Sequence, residues 1–269
     1  MIAASEVSVH AGGRALLDAV DIRIEAGRFH VVLGANGAGK STLLRVLGGT
    51  LKPSAGTVVL AGRPLAHWSA RDQARLRAIL PQETQLCFGF TALEVVLLGR
   101  YPHHGGRAGA RDERIALACL EQVDAVHLAQ RVHLSLSGGE RARVQLARAL
   151  AQVWEPWQTH PRALLLDEPI AALDIVHQHL TLQLASELAG SEGIGVVAVL
   201  HDLNLALQYA DVATLLCDGR VMAHGRPEDV ITPGALRDCF GLDAQVIEQS
   251  GTGQRMVLAG RGVAAGLDR

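Results

Sequence analysis

The chain has 269 residues, of which 49% are hydrophobic and 19% are charged, and its formal net charge is -2. This composition is typical of a globular protein with a sizeable core and excludes a chain that is disordered throughout. A nucleic-acid-binding protein normally carries a basic surface, so we expect no nucleic-acid partner. The N-terminus does not resemble a signal peptide, and no apolar run reaches the roughly 18 residues that span a bilayer. If the protein works at a membrane, another chain must supply the crossing.

Four cysteines lie at positions 87, 119, 217 and 239, and no two of them form a CxxC pair. This spacing argues against a zinc site and against a disulfide framework. We therefore expect a reduced protein of the cytosol.

Short apolar runs at 29–33, 163–166 and 196–200 predict buried strands, and polar or glycine residues follow each of them. The segment 76–80 is also strand-like. Helical patterns between the runs indicate βα units around a mostly parallel sheet, in which ligands bind beyond the carboxyl ends of the strands. The segment from about 85 to 152 is mainly helical in pattern. We expect it to be a helical subdomain inserted into a core of about 1–84 and 153–250, within one domain that spans 1–269. The glycine-rich part after residue 251 predicts little.

A phosphate-binding loop is predicted directly after the strand at 29–33. The motif GxxxxGK[ST] is matched by Gly34, Ala35, Asn36, Gly37, Ala38, Gly39, Lys40 and Ser41, and Thr42 continues into an apolar helix. Glycines let the backbone turn its N–H groups toward a phosphate, and the helix that follows adds its positive end. Lys40 is expected to reach the β and γ phosphates of a nucleotide, and Ser41 to bind Mg²⁺.

Two carboxylates, Asp167 and Glu168, stand at the end of the predicted strand at 163–166. Asp167 is suited to hold Mg²⁺ and Glu168 to activate a water molecule as general base. By itself the pair fits equally well an acidic strand end or a helix cap before Pro169. In a chain that also has a phosphate loop, the pattern favours nucleotide hydrolysis.

A second helix start lies at Leu136-Ser137-Gly138-Gly139-Glu140 and begins a helix that runs to about Gln152. Ser137 and Glu140 form the pattern of a capping box. The two glycines disfavour a helix by about 1 kcal/mol each relative to alanine, so we expect a ligand or another chain to approach this backbone closely. Free N–H groups at a helix start form a second anion site.

These three motifs, in this order and approximate spacing, resemble the ATPases of ABC transporters over roughly residues 5 to 250. The resemblance implies an α/β P-loop NTPase fold, the ABC cassette, with a mostly parallel core sheet, an antiparallel β portion and an inserted helical subdomain. It implies ATP as substrate, Mg²⁺ as cofactor and a head-to-tail homodimer. In such a dimer Ser137, Gly138, Gly139 and Glu140 would contact ATP bound to the other subunit.

Single positions also match the family. Gln82 stands where a glutamine senses Mg²⁺ and touches the membrane partner, Asp174 where an aspartate contacts the other subunit, and His201 where a histidine contacts the γ-phosphate. Together with Glu168, Gln82 and His201 are the expected catalytic residues. The sequence departs from the family at Ala11, where a tyrosine that stacks on adenine is usual. His10, one residue earlier, is an alternative stacking residue.

The segment 91–102 resembles the branch that imports iron siderophores, haem and cobalamin. Within that branch, the insert 153–161 and the segment 174–179 resemble haemin importers. We therefore expect the chain to energise haemin uptake, with a ferric siderophore or cobalamin as the alternative cargo. The expected partners are two copies of an integral membrane permease and a periplasmic haem-binding protein. The expected location is the cytoplasmic face of the bacterial inner membrane, as a peripheral protein.

A soluble ABC ATPase of DNA repair or translation is a rival interpretation, but such proteins usually have two cassettes or a coiled-coil insertion. A P-loop kinase or GTPase would not explain the segment 136–140 or His201. The chain contains 12 histidines, and haem ligation by some of them is a further alternative. We expect instead that His103, His104, His177 and His179 are solvated surface residues.

Overall fold

A computed structural model describes residues 1–82, 88–249, 251 and 253–263 of the chain. The strands are β1 Ile2–Ala11, β2 Arg14–Ile24, β3 Phe29–Leu33, β4 Ala55–Leu60, β5 Arg63–Pro64, β6 Arg77–Leu80, β7 Ala163–Asp167, β8 Gly195–Val199, β9 Val212–Cys217, β10 Arg220–Gly225, β11 Leu242–Glu248 and β12 Arg255–Val263. The α-helices are α1 Lys40–Leu47, α2 Ala70–Leu76, α3 Ala92–Leu98, α4 Tyr101–His104, α5 Ala110–Gln122, α6 Gly138–Val153, α7 Ile175–Glu192, α8 Leu203–Tyr209, α9 Pro227–Val230 and α10 Pro233–Phe240.

The largest sheet has the strand order β10-β9-β3-β8-β7-β6. All its neighbouring strands pair in parallel except β10, which is antiparallel to β9. Every residue of β3, β7 and β8 is buried, as expected of strands in a parallel sheet that is covered on both faces. The prediction of a mostly parallel core sheet is therefore confirmed.

An antiparallel sheet with the order β2-β1-β4-β5 packs against one face of this core sheet. Strand β3 contributes to a separate apolar core on each face, because successive side chains of a strand point to opposite sides. Val32 packs with β1, β2 and α1, whereas Phe29, Val31 and Leu33 pack toward α3, α5 and α6. The expected antiparallel portion is thus present, and it holds α1 in place from one side.

The apolar run at 76–80 is only partly a strand, because Leu76 is the last residue of α2 and the strand begins at Arg77. Ser69 caps α2 by accepting a hydrogen bond from the backbone N–H of Asp72 at 3.1 Å. This cap stabilises a helix up to Leu76, after which Arg77 is fully extended. The predicted start of the strand was therefore one residue too early.

The C-terminal part contains structure that its composition did not predict. Strand β12 pairs in antiparallel fashion with β11, and Val257 of β12 is buried. At the other predicted boundary, the change at 84–85 from the core to the helical segment lies outside the described residues. Within the part of the chain that the structure describes, no helix is both long enough and apolar enough to cross a membrane.

Candidate functional site

The loop 34–39 joins β3 to α1 through backbone conformations that only glycine adopts easily. Gly34, Gly37 and Gly39 have φ values of 154°, 80° and 99°. A Cβ at Gly34 would lie 2.3 Å from the carbonyl oxygen of Leu216, and one at Gly39 would lie 2.5 Å from that of Leu16. No side chain caps α1, so its first backbone N–H groups remain available. The loop therefore presents free donors at the positive end of a helix, which is an anion site.

The ammonium group of Lys40 lies over this loop. Its Nζ donates hydrogen bonds to the carbonyl oxygens of Gly34 at 2.8 Å and Ala35 at 2.9 Å. Burial lowers the pKa of Lys40, and the nearby carboxylates Glu168 and Asp167 oppose that shift. The partly desolvated ammonium group of Lys40 thus lies beside the backbone N–H groups of the loop, and both favour a bound anion.

Ser41 and Asp167 meet at the start of α1, where the Ser41 hydroxyl donates to Oδ1 of Asp167 at 3.0 Å. Burial raises the pKa of Asp167, with the Glu168 carboxylate adding to the effect. A cation beside Asp167 would relieve this unfavourable burial of negative charge. A hydroxyl and a carboxylate also suit Mg²⁺, which prefers oxygen ligands. The residues present therefore fit a magnesium ion.

Glu168 is held between residues that follow two other strands. Gln82, after β6, donates through Nε2 to its Oε2 at 3.0 Å, and Nε2 of His201, after β8, lies 2.7 Å from its Oε1. Glu168 itself has a φ of 52°, an uncommon conformation for a residue other than glycine. The contact between Glu168 and His201 was not predicted, because nothing in the sequence indicates that β7 and β8 are neighbours.

The helix start at Ser137 forms the predicted capping box. The backbone N–H of Ser137 donates to Oε2 of Glu140 at 2.7 Å, and the N–H of Glu140 donates to Oγ of Ser137 at 3.2 Å. Ser137 and Gly138 are exposed, and a Cβ at Gly138 would meet nothing within 4 Å. At Gly139 it would lie 3.2 Å from the carbonyl oxygen of Ala172. Among the described residues, no hydrogen bond joins 137–140 to the loop 34–41 of the same chain.

A cleft of about 440 Å³ separates the N-terminal end of α6 from the ends of β6 and β7. Its lining includes Gln82, Glu168 and Arg141, together with His133 and Gln145. The side chains of His133 and Gln145 are buried, and within the described part of the chain His133 Nδ1 and Gln145 Oε1 have no hydrogen-bond partner. Sequence reasoning missed these two residues, because neither belongs to a motif.

Asp174 and His177 form the start of α7. Asp174 accepts a hydrogen bond from the His177 backbone N–H at 2.9 Å, which lowers the pKa of its carboxyl group. The Asp174 side chain is exposed, as are the neighbouring Ile175 and Val176. This apolar surface beside Asp174 is where the resemblance places the other subunit.

The four histidines expected to be solvated surface residues are each only partly exposed. His103 lies 2.8 Å from the carbonyl oxygen of Gln152, and His179 lies 2.7 Å from the hydroxyl of Tyr209. Packing between helices covers them, which the sequence does not indicate. At the hairpin between β1 and β2, both Ala11 and His10 are exposed, so both remain candidates for contact with a nucleotide base.

The ABC transporter family model matches residues 17–171 of the chain. The "Hemin import ATP-binding protein HmuV" of Gloeobacter violaceus is 48% identical over 96% of this chain and 94% of that protein. The protein of the same name from Methylobacillus flagellatus is 45% identical over 97% of each chain.

Solved structures give the same result. A chain from an inward-facing structure, assigned to the metal-chelate type of ABC transporter, matches with a TM-score of 0.78 and 26% identity over 96% of both chains. The dimeric structure of MJ0796, a bacterial ABC transporter cassette, matches with a TM-score of 0.74 and 29% identity over 84% of this chain and 99% of that one. The predicted fold class and family are thereby confirmed, and the chain belongs to the ABC transporter family as one of its ATP-binding cassettes.

Proposed function

We propose that this chain is the ATP-hydrolysing subunit of an importer that carries haemin across the bacterial inner membrane. The observation that carries the ATPase assignment is the convergence of Lys40, Ser41, Gln82, Asp167, Glu168 and His201 at one edge of the core sheet. The haemin assignment rests on relatives that match nearly the whole chain and are named as hemin import proteins.

In this proposal the phosphates of ATP lie in the loop 34–39 and along the first turn of α1, including Thr42. Lys40 exchanges its two carbonyl contacts for oxygens of the β and γ phosphates. Ser41, Asp167 and Gln82 would hold Mg²⁺, which would supply positive charge to offset the phosphate charge during phosphoryl transfer.

Glu168 is the proposed general base. Its carboxylate orients the attacking water and accepts its proton, while His201 Nε2, now 2.7 Å from Glu168, turns toward the γ-phosphate. Gln82 joins this site to the segment that follows β6, so it is suited to report the state of the site to a membrane partner. The contacts of the Glu168 carboxylate with Gln82 and His201 hold it in place within one chain.

A homodimer completes the site. The exposed N–H groups at Ser137, Gly138 and Gly139, with Glu140 holding their conformation, would contact the γ-phosphate bound to the other subunit. The exposed surface around Asp174 would lie at the same interface. The dimeric cassette among the similar structures supports this arrangement.

The full system would contain two copies of a membrane permease and a periplasmic haem-binding protein. The chain would then lie on the cytoplasmic face of the inner membrane as a peripheral subunit. A permease must supply the membrane crossing, because no described helix of this chain fits one.

The test is transport by the complete complex. The chain and the permease expressed with it are placed in vesicles with haemin, a ferric siderophore or cobalamin presented by the matching binding protein. We expect ATP-dependent uptake of haemin only, and no uptake when the chain carries Glu168→Gln. Uptake of another cargo in preference to haemin would contradict the cargo but keep the importer. A chain that hydrolyses ATP yet never associates with a permease would contradict the importer itself.

A further inference from the structure

The imidazole of His177 lies between two carboxylates from different parts of the chain. Its Nδ1 is 2.8 Å from Oδ2 of Asp174, which precedes α7, and its Nε2 is 3.5 Å from Oδ2 of Asp124, which follows α5. The side chain of His177 is 23% exposed, against 67% for Asp174 and 69% for Asp124. The ring is thus mostly covered, and it can donate to both carboxylates when both of its nitrogens carry a proton.

Asp124 is joined in turn to α6. Nη1 of Arg143, on α6, donates to the backbone carbonyl oxygen of Asp124 and lies 3.3 Å from its Oδ2. Arg143 is buried, and a buried guanidinium keeps its partners because losing one leaves a charge without compensation. Asp124 has a φ of 51°, which aspartate and asparagine adopt more readily than most residues. The position of Asp124 is therefore set by its backbone as well as by its side chain.

A continuous row of polar contacts, the His177 bridge, is formed by Arg143, Asp124, His177 and Asp174. The bridge connects α6, which begins directly after Ser137, with the start of α7. In the proposed homodimer, Ser137 and Asp174 are residues that face the other subunit. The bridge thus links two interface elements within one subunit.

The bridge is distinct from the cap of α7. The backbone N–H of His177 donates to Oδ1 of Asp174 at 2.9 Å, and any residue except proline can make this bond. Hydrogen bonds from the backbone and then from the side chain of His177 hold the pKa of Asp174 below its usual range. Replacing the imidazole therefore removes the link to Asp124 and leaves the helix cap in place.

We propose that His177 is a positioning residue that holds Asp174 in a fixed relation to the start of α6, so that both interface elements are aligned before two subunits associate. This role rests on the homodimer of the proposed function. Without the imidazole the start of α7 loses this link to α6, and ordering the two elements would cost free energy on association. Among the described residues, no hydrogen bond joins His177 to the loop 34–41 or to Glu168. Binding of ATP to a single chain therefore does not depend on it.

The test measures ATP-driven dimerisation by analytical ultracentrifugation in the Glu168→Gln background, where turnover is expected to be slow. Three variants divide the bridge, because the amide nitrogen of asparagine stands near the position of Nδ1 and that of glutamine near the position of Nε2. His177→Asn keeps the contact with Asp174, His177→Gln keeps the contact with Asp124, and His177→Ala keeps neither. An exposed ion pair contributes about twofold to fivefold to an equilibrium, and a homodimer contains two bridges. Each variant should therefore raise the dissociation constant of the dimer by about fourfold to 25-fold.

A second measurement separates association from ATP binding. At protein concentrations far below the dissociation constant of the dimer, the His177 variants should bind ATP like their parent. With Glu168 intact, ATP hydrolysis by the variants should fall at low protein concentration and recover at high concentration, because only association is weakened.

Matched variants serve as controls. Asp124→Asn removes the charge and tolerates the left-handed backbone at this position. It should weaken dimerisation by itself yet add nothing to His177→Ala, because both act through one bridge. His179→Asn, on the same helix but beside Tyr209, should dimerise like the parent. Thermal melts check that each variant folds, and His177→Asn replaces His177→Ala in the comparison if the latter does not.

Two results would overturn the bridge. One is dimerisation of His177→Asn equal to that of the parent, since this variant lacks the contact with Asp124. The other is additive effects of His177→Ala and Asp124→Asn. A Glu168→Gln parent that stays monomeric with ATP would instead contradict the homodimer, and this role with it.

Discussion

The two parts of the proposed ATP site differ in how far their polar groups are already satisfied within one chain. At the edge of the core sheet, Ser41 and Glu168 have partners from distant parts of the sequence, and Lys40 donates to carbonyl oxygens of the loop that precedes it. At the start of α6, Ser137 and Glu140 bond to each other and Glu140 also accepts a hydrogen bond from Arg131 at 3.2 Å. A Cβ at Gly138 would meet nothing within 4 Å. The core edge is thus a half-site whose polar side chains already have hydrogen-bond partners within the same chain. The helix start is a half-site whose remaining donors need a ligand or a partner from outside.

The largest expected effect is at the core edge. Glu168→Gln should keep binding of ATP but lower turnover by at least about 100-fold, because the amide cannot accept a proton from water. The variant should also accumulate as an ATP-bound dimer, which gel filtration with ATP measures. Glu187→Gln, an exposed glutamate on α7, is the control and should hydrolyse ATP normally. Turnover near that of the wild type in Glu168→Gln would refute the role of this carboxylate.

The next prediction concerns the dependence of one half-site on the other. Lys40→Ala damages the core edge and Ser137→Arg blocks the helix start, so each variant should be inactive alone. In a mixed dimer one site carries both defects and the other carries none. Half of randomly mixed dimers are mixed pairs with one intact site, so about a quarter of wild-type activity should return. Activity of the mixture is compared with each variant alone. A mixture that remains inactive, although native mass spectrometry shows mixed dimers, would indicate either self-contained sites or strict coupling between the two.

A third prediction concerns how the base of the nucleotide is bound. The core edge contains groups that suit the phosphates but no aromatic side chain that could stack on the base. Stacking of an aromatic ring on a base is worth roughly 1–3 kcal/mol, so Ala11→Tyr should tighten ATP binding about tenfold. Titrations with ATP and GTP measure this, with His10→Ala as the companion variant. If His10 already stacks on the base, His10→Ala should weaken both nucleotides and Ala11→Tyr should gain little. A wild type that prefers ATP to GTP by about a hundredfold would mean that adenine is recognised elsewhere.

The smallest expected effect is on stability, and its sign differs between the two half-sites. Burial raises the pKa of Asp167, whereas hydrogen bonds from Ser137 lower the pKa of Glu140. Ionised Asp167 therefore destabilises the fold at neutral pH, and its cost grows as the pH rises through its folded pKa. Ionised Glu140 stabilises the fold above its unfolded pKa, and this contribution is lost as the pH falls through its folded pKa.

Asp167→Asn should accordingly raise the melting temperature of the nucleotide-free chain at pH 7 by about 2 °C. Glu140→Gln should lower the melting temperature, and the loss should vanish at acidic pH. Thermal melts between pH 4 and 8 check both signs. A lower melting temperature in Asp167→Asn would mean that the hydrogen bond from Ser41 outweighs the cost of burying the charge.

The sequence by itself determined the parts of this protein that are contiguous in the chain. The loop 34–41 is identified without a structure because its glycines, its lysine and its serine belong to one contiguous motif. The capping box at Ser137 and Glu140 is predictable for the same reason, since it closes within a single helical turn. The apolar runs at 29–33 and 163–166 also identify β3 and β7, because strands that are buried on both faces consist of an almost uninterrupted apolar run.

Only the tertiary structure decided which distant residues meet. The contacts of Glu168 with Gln82 and His201 depend on the order β8-β7-β6, and no local pattern encodes that order. Motifs are set by local backbone geometry, whereas contacts between elements are set by how the apolar faces of the whole chain are buried together.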